Sequence, residues 1–413
     1  MAEQYARIIG WGMYVPERIL TNHDLEQMVD TSDEWIVART GIRERRIAAE
    51  GEATVSMSLA ASRQALERAR VRPADLDLII IATSTPDYLC PSASSILQHR
   101  LGAKKAAAFD LVAGCSGFVY GLVTASQFIQ TGLYERVLVV GAETLSMGVD
   151  WTDRNTCVLF GDGAGAVVMQ ASDSPTGILA AELGSKGSDW DALMCPGGGS
   201  ANPFSQKVLD RRENYLRMDG RRVFKFATHI MSESVRRVVS QSGVPWDDVK
   251  LVIPHQANAR IIDLAVRRMR LPPEKVMVNL DRYGNTSAAS IALALNEAVE
   301  EGRLQPGDHV VLAGFGAGLT WATAVVHWEP VETQGIPVLN WPVRERLAQQ
   351  MARVRTAAWN ARVALSTRAG EAAMALLLPL YSWTGRRRKK NTGRRTITGR
   401  KRAADRRTAT DDG

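Results

Sequence analysis

The chain has 413 residues, 45% of them hydrophobic and 23% charged, with a formal net charge of +7. That composition supports two to three domains' worth of core and excludes a wholly disordered or fibrous protein. Residues 331–413 carry 18 Lys and Arg against 6 Asp and Glu, which leaves 33 bases against 38 acids in the first 330 residues. The basic character therefore belongs to the end of the chain and carries no information about the chemistry of the rest.

In chain order, Met1 to Ile9 shows no basic stretch followed by an apolar run, and no window reaches the roughly 20 apolar residues of a membrane span. The cysteines, Cys90, Cys115, Cys157 and Cys195, form no C-x-x-C pair and have no His pair at metal-ligand spacing. Neither a disulfide framework nor a metal site is expected, and the protein is read as cytoplasmic with reduced thiols. Strand-like apolar runs at Leu78–Ile81, Val137–Val140, Leu251–Ile253 and Val310–Leu312 alternate with helix-length amphipathic segments, the pattern of an α/β protein. Asp75–Ile81 (DLDLIII) aligns with Asp247–Ile253 (DDVKLVI) at an offset of 172. A strand ending in Asp110-Leu-Val-Ala-Gly-Cys115 opens a helix over 117–130. Leu280-Asp-Arg-Tyr-Gly-Asn285 likewise opens a helix over 287–300, at an offset of about 170. The spacing predicts two duplicated α/β halves, 1–172 and 173–330, with Cys115 and Asn285 at equivalent turns and a crevice between the halves.

Cys115 lies between Gly114 and Gly117 at the first turn of an apolar helix, where the helix N-terminus favours thiolate over thiol. A buried small hydrophobe is the alternative. His255 directly follows a strand and Pro254, and its repeat partner lies near Thr83 and Ser84. It should therefore share one end of the sheet with Cys115 and Asn285. Gly161-Asp-Gly-Ala-Gly-Ala166 fits G-x-G-x-x-A, but a strand follows, so NAD or FAD binding is rejected in favour of a tight strand-to-strand turn. Gly314-Phe-Gly-Ala-Gly318 is read either as an oxyanion donor or as a plain turn.

Residues 1–330 resemble the β-ketoacyl-[acyl-carrier-protein] synthase III family, the initiating condensing enzymes of bacterial type II fatty-acid synthesis. The matching blocks are Thr31–Ile36 (TSDEWI), Arg39–Arg45 (RTGIRER), Ala113–Gly117 (AGCSG), Phe160–Gly165 (FGDGAG), His255–Asn258 (HQAN), Tyr283–Ser287 (YGNTS) and Gly314–Trp321 (GFGAGLTW). The resemblance implies a thiolase-like fold, two duplicated halves forming a five-layer αβαβα core, and a homodimer. It implies an acyl-CoA primer and malonyl-carrier protein as substrates, no cofactor, and a catalytic set of Cys115, His255 and Asn285. It further implies oxyanion donors at the backbone N–H of Cys115 and of Ala317, where most members carry Gly. For coenzyme A it points to Trp35 and Arg154 around the adenine, with Thr31, Arg39, Phe224 and Asn258 nearby. Thr31 and Glu34 also fit a T-x-x-E capping box, so part of that block serves equally to start a helix. Arg260, Arg267 and Arg268 flank the same entrance on one predicted helix and suit an acidic carrier protein, with a solvated helix face as the alternative. Cys90 stands where many members place a Phe that closes the primer pocket from the partner subunit, which suggests room for longer or branched primers.

Beyond Trp328 the resemblance stops. Residues 330–342 read as a linker, and Leu347, Met351, Val354, Ala358, Ala361 and Leu365 recur at helical spacing. The apolar run Ala372–Trp383 is too short to span a bilayer, and Arg386–Lys390 begins a polybasic run. The extension 331–413 reads as a peripheral contact with anionic lipid, with a solvated tail, carrier-protein binding and nucleic-acid binding as alternatives. Three functions stay open at this point. They are the fatty-acid condensing enzyme, a related synthase of polyketide, quinolone or hydrocarbon assembly, and a tail-driven recruitment protein with a vestigial core.

Overall fold

The apolar runs become strands that tolerate no polar face, because both of their faces are covered. The computed structural model describes residues 4–330. Its large sheet is built from β1 (Tyr5–Tyr14), β2 (Leu78–Ala82), β3 (Ala107–Leu111), β4 (Arg136–Thr144), β5 (Asp162–Ser172), β6 (Gly177–Ser185), β7 (Val249–Pro254), β8 (Asp308–Gly316) and β9 (Thr320–Trp328). The spatial order is β7-β8-β9-β6-β1-β5-β4-β2-β3.

Two copies of one arrangement meet at the centre of that order. In the first, β5 is antiparallel to β1 and β4, while β2 is parallel to β4 and β3. In the second, β9 is antiparallel to β6 and β8, and β7 is parallel to β8. The counterpart of β3 shrinks to a single bridge between Val252 and Val276. Pro272 and the turn Pro273–Lys275 precede it and the short helix Leu280–Tyr283 follows, so there is no length left for a strand. The copies touch where Ala6 pairs with Gly177. Gly177 has φ of +76°, and a Cβ there would stand 1.8 Å from the Ala6 carbonyl oxygen, so glycine is required.

The helices are α1 (Asp33–Thr40), α2 (Thr54–Ala69), α3 (Ala93–Leu101), α4 (Gly117–Gln130), α5 (Gly220–Ser242), α6 (Ala259–Met269) and α7 (Ala289–Glu300). Alternate residues of each strand face opposite layers. Ile79 and Ile81 pack outward with Val55 and Leu66 of α2, while Ile80 packs inward with Phe118 and Leu122 of α4. Val310 and Leu312 pack inward with Ile291 and Leu295 of α7, and Val311 packs outward with Val235 of α5 and Ile262 of α6. Three apolar clusters thus separate five layers, αβαβα, with α4 and α7 in the middle against strands of both halves. This is the thiolase-like architecture.

The glycines of 161–166 do not form the tight turn expected from the sequence. β5 already begins at Asp162, so Gly163 and Gly165 are strand residues. A Cβ on Gly165 would lie 2.4 Å from the Cβ of Ala292, so the glycine is there to let α7 lie close against the sheet. The strand continues to Ser172, which is not the strand-turn-helix of a dinucleotide site. Among the described residues no helix is long and apolar enough to cross a membrane. The linker, amphipathic helix and polybasic run expected in 331–413 lie outside the described residues.

The packing of α7 on β5 gives a direct test. Gly165→Val should lower the unfolding free energy by about 3 kcal/mol through overpacking. Thermal and denaturant unfolding measure this, and a variant as stable as the parent would show that the two elements separate freely.

Candidate active site

Cys115 is held by an interlock between the two halves. After β3 the chain makes a single 3-10 turn, Gly114–Ser116, and enters α4. Gly114 has φ of +53°, and a Cβ on it would stand 2.7 Å from the amide nitrogen of Ala317. A Cβ on Gly316 would stand 2.4 Å from the amide nitrogen of Cys115. The turn after β3 and the loop after β8 therefore close on each other at two positions where only glycine fits. Thr320 fastens the pair, its hydroxyl donating to the Ala113 carbonyl at 2.8 Å and meeting the Ser116 hydroxyl at 2.7 Å. Cys115 is left 6% exposed.

His255 follows β7, and its backbone N–H donates to the Ala313 carbonyl at 2.8 Å. Its ring meets Phe315 edge-on at 5.0 Å, and Nδ1 lies 2.6 Å from the Ser290 hydroxyl. The Gln256 N–H also points at that hydroxyl oxygen, at 3.5 Å. Asn285 is anchored by its own N–H on the Leu159 carbonyl at 2.8 Å. Its Oδ1 accepts from the Ser287 N–H at 2.9 Å, which leaves Nδ2 to donate elsewhere.

Cys115, His255 and Asn285 line one cavity of about 400 Å³, and the sequence had placed them at equivalent ends of the two halves. Burial pushes the Cys115 thiol up to about 12, with Ser287 lowering it by hydrogen bonding and the Glu143 charge raising it. Burial thus opposes the thiolate that the helix N-terminus favours. A helix end contributes about 0.3–2 kcal/mol, whereas taking an ion out of water costs several. Burial also pushes His255 down to about 3, so its imidazole is neutral. Among the described residues no three His, Cys, Asp or Glu side chains gather to hold a metal ion.

Trp35, Arg39, Phe224, Asn258 and Arg260 line the same cavity. The N-cap of α1 is Ser32, whose Oγ accepts from the Trp35 N–H at 3.2 Å, rather than Thr31 as the capping-box pattern suggested. The Thr31 hydroxyl is instead buried with no hydrogen-bond partner in the structure. The guanidinium groups of Arg39 and Arg154 lie 4.9 and 5.4 Å from the Trp35 ring centroid. Arg154 does not line the cavity and donates to the Asp30 carbonyl at 2.8 Å. Asn258 caps α6 through the Arg260 N–H and donates to the Arg39 carbonyl at 3.0 Å, tying α6 to α1. Arg260 lies over Phe224 at 5.9 Å. Arg267 and Arg268 do not flank the cavity, because they occupy the last turn of α6, roughly 10 Å further along its axis. Arg268 is also held there by the Thr228 carbonyl at 2.6 Å. Cys90 is exposed and does not line this chain's cavity.

Glu143 and Ser290 lie outside every matched sequence block yet contact Ser287 and His255, whereas Ser287 closes the block Tyr283–Ser287. Glu143 is fully buried at the end of β4, and its position as a carboxylate closing an apolar strand (VLVVGAE) was the available clue.

Two family models match this chain. One, described as 3-oxoacyl-[acyl-carrier-protein] synthase III, covers residues 109–187, and its C-terminal companion covers 239–328. The β-ketoacyl-[acyl-carrier-protein] synthase III of Symbiobacterium thermophilum is 54% identical over 321 residues, 78% of this chain and 97% of that relative. The crystal structure of 3-oxoacyl-[acyl-carrier-protein] synthase III from Aquifex aeolicus matches with a TM-score of 0.73 and 47% identity, covering 78% of this chain and all of that one. A priming β-ketosynthase from the R1128 polyketide pathway matches with a TM-score of 0.74 and 37% identity, over 79% of this chain and 97% of that one.

The depressed value of His255 predicts a pH dependence of stability. Below about 6.5 the unfolded chain takes up a proton that the folded chain refuses, so the stability tied to neutral His255 is present above that pH and lost beneath it. The unfolding free energy of the parent relative to His255→Gln should fall by about 1.0 kcal/mol between pH 6.5 and 5.5. Denaturant melts of both proteins at the two pH values measure this, and a constant gap would show that the folded protein protonates His255.

Proposed function

The chain belongs to the β-ketoacyl-[acyl-carrier-protein] synthase III family, an acyltransferase family that initiates fatty-acid synthesis, and we propose that it works through an acyl-Cys115 intermediate. The supporting observation is that Cys115, His255 and Asn285 line one buried cavity. The Cys115 sulfur attacks the carbonyl of an acyl-CoA primer and releases the CoA thiol. Malonyl-acyl-carrier protein then enters, and His255 Nε2–H and Asn285 Nδ2–H donate to its thioester carbonyl. The bond to the malonyl carboxylate breaks, CO2 leaves, and its electron pair is held as an enolate by those two donors. The nascent carbanion attacks the acyl-Cys115 carbonyl, the resulting oxyanion rests on the N–H groups of Cys115 and Ala317, and the C–S bond breaks to give the 3-oxoacyl-carrier protein. The two amides belong to the interlocked loops, so the hole is rigid before substrate arrives.

On the same reading Trp35 and Arg154 take the adenine of coenzyme A between them, with Thr31, Arg39, Phe224 and Asn258 around the nucleotide. Arg260, Arg267 and Arg268 meet the acidic carrier protein from one side of α6. The halves 1–172 and 173–330 act as two copies, the enzyme is a cytoplasmic homodimer without a cofactor, and Cys90 reaches the primer pocket of the partner. The fatty-acid relatives, at 54% and 47% identity, favour this over polyketide priming, at 37%. The full catalytic set argues against a vestigial core. For residues 331–413 the sequence pattern supports contact with anionic lipid.

Intact-mass analysis after incubation with a panel of acyl-CoAs tests the intermediate. We expect a single acyl adduct on the parent and none on Cys115→Ala, with isobutyryl and octanoyl groups accumulating at least as fast as acetyl. A strong preference for acetyl would remove the assignment of Cys90, and acylation of Cys115→Ala would remove the nucleophile. His255→Ala and Asn285→Ala should still acylate while losing about 10²–10³ in malonyl decarboxylation, the scale of an oxyanion donor. For the tail, the full chain should pellet with phosphatidylserine vesicles and a chain ending at Pro330 should not; equal pelleting rejects the lipid contact.

A further inference from the structure

His255 and Asn285 have to converge on one carbonyl oxygen, yet different stretches of chain carry them. His255 follows the end of β7, while Asn285 comes after the short helix Leu280–Tyr283 and Gly284. The backbone of Asn285 is tied to the first half, its N–H on the Leu159 carbonyl at 2.8 Å and its carbonyl on the Gly161 N–H at 3.1 Å. Those bonds do not set its distance from His255. A row of buried side chains makes that link. The Gln256 side chain donates through Nε2 to the carbonyls of Pro254 at 2.7 Å and Met277 at 3.1 Å, and its Oε1 accepts from the Asn279 N–H at 3.0 Å. Asn279 stands at the N-cap of the short helix, but its side chain makes no capping bond and instead donates to Glu297 Oε2 at 2.7 Å. Glu297, buried on α7, also accepts from Arg282 Nη2 on Oε2 at 2.9 Å and from the Tyr283 hydroxyl on Oε1 at 2.6 Å. One carboxylate thus gathers the residue before the short helix and the last two residues within it. A carboxylate after the apolar run Ile291–Leu295 costs free energy unless it is paired, and Arg282 supplies the opposite charge.

We propose that Glu297 is a positioning residue for the decarboxylating step, clasping Asn279, Arg282 and Tyr283 so that Asn285 is fixed relative to His255. This rests on His255 and Asn285 being the paired donors to the malonyl thioester carbonyl. The link runs from His255 through the Gln256 amide to Asn279, then through Glu297 to Tyr283, Gly284 and Asn285. Gly284 has φ of +63°, and a Cβ on it would lie 2.8 Å from the Leu159 carbonyl oxygen. The turn that joins Tyr283 to Asn285 is therefore closely packed and passes the placement of the short helix on to Asn285. Two donors aimed at one oxygen tolerate little error, since a misplacement of about 1 Å costs on the order of a hundredfold in rate. Acylation of Cys115 does not share this dependence. Its oxyanion donors, the N–H groups of Cys115 and Ala317, are set by the glycine interlock and by Thr320, on other elements. Loss of the clasp should therefore separate the two half-reactions.

The test compares decarboxylation of malonyl-carrier protein with acylation of Cys115 by acyl-CoA. In Glu297→Ala the kcat of decarboxylation should fall by about tenfold or more with KM little changed, while acylation stays within about twofold of the parent. In Glu297→Gln the amide oxygen still accepts from Asn279 and Arg282 and the amide N–H can donate to the Tyr283 oxygen, so most of the rate should return. Placed in an Asn285→Ala background, Glu297→Ala should cost nothing further, because no donor is left to position. Tyr283→Phe removes one arm of the clasp and leaves the charge paired with Arg282. It carries the same test if Glu297→Ala does not fold, with a loss of about threefold that also vanishes beside Asn285→Ala. Equal loss of both half-reactions, a loss that persists in full beside Asn285→Ala, or no loss in a folded Glu297→Ala would overturn the clasp in favour of a purely structural carboxylate. Failure of the underlying reading shows differently: Asn285→Ala alone would then decarboxylate as fast as the parent, and the clasp would fall with it.

Discussion

The site is governed by the burial of a thiol, an imidazole and a carboxyl group that lie close together. Burial shifts Cys115 and Glu143 up and His255 down, each against the charged form. A buried site strengthens every hydrogen bond to a developing oxyanion or enolate, which condensing chemistry needs. The same burial makes a free-standing thiolate expensive.

That burial is a product of backbone proximity. Gly114 and Gly316 let the turn after β3 and the loop after β8 approach until their amides almost meet, and Gly165 lets α7 press on β5. Each of these contacts crosses between elements distant in sequence, so no local propensity predicts them. Behind the cavity, Arg45 is fully buried and binds the carbonyls of Leu20 and Val158 and the side chain of Asn22. These contacts, all made by its two terminal nitrogens, tie the segment before α1 to the segment before β5 and offset part of the cost of a buried cation.

The fold was legible because its signals are periodic and repeated. Apolar runs marked the strands, and offsets of about 170 put Cys115, His255 and Asn285 at one end of two copies. Signals that depend on a single residue's neighbours were read less well. Thr31 and Glu34 fit a capping box, yet Ser32 takes the cap because the helix starts one residue later. Gly161–Gly165 suggested a turn, because a sequence does not show which helix will lie across a strand. The burial of Cys115, which opposes the effect of the helix N-terminus, is likewise not visible in sequence. Arg267 and Arg268 share a helix with Arg260, but seven residues of rise carry them away from the cavity. Glu143 is unremarkable in sequence, because its contact with Ser287 arises only when β4 and the segment before α7 are brought together.

The duplication accounts for the way the roles are divided. At the offset of 172, Thr83 corresponds to His255 and Glu143 to Phe315, and the register supports this, since Ala82 pairs with Gly141 as Pro254 pairs with Ala313. In the second copy the strand ends supply an imidazole and the aromatic edge that keeps it dry. In the first copy the same two positions supply a hydroxyl and the carboxylate that it solvates. One framework thus presents an imidazole from one half and a buried carboxyl group from the other, at the end of the sheet that carries Cys115 and Asn285. A second carboxyl group in place of the imidazole would set two like charges together in a buried site, so the two copies differ at these paired positions.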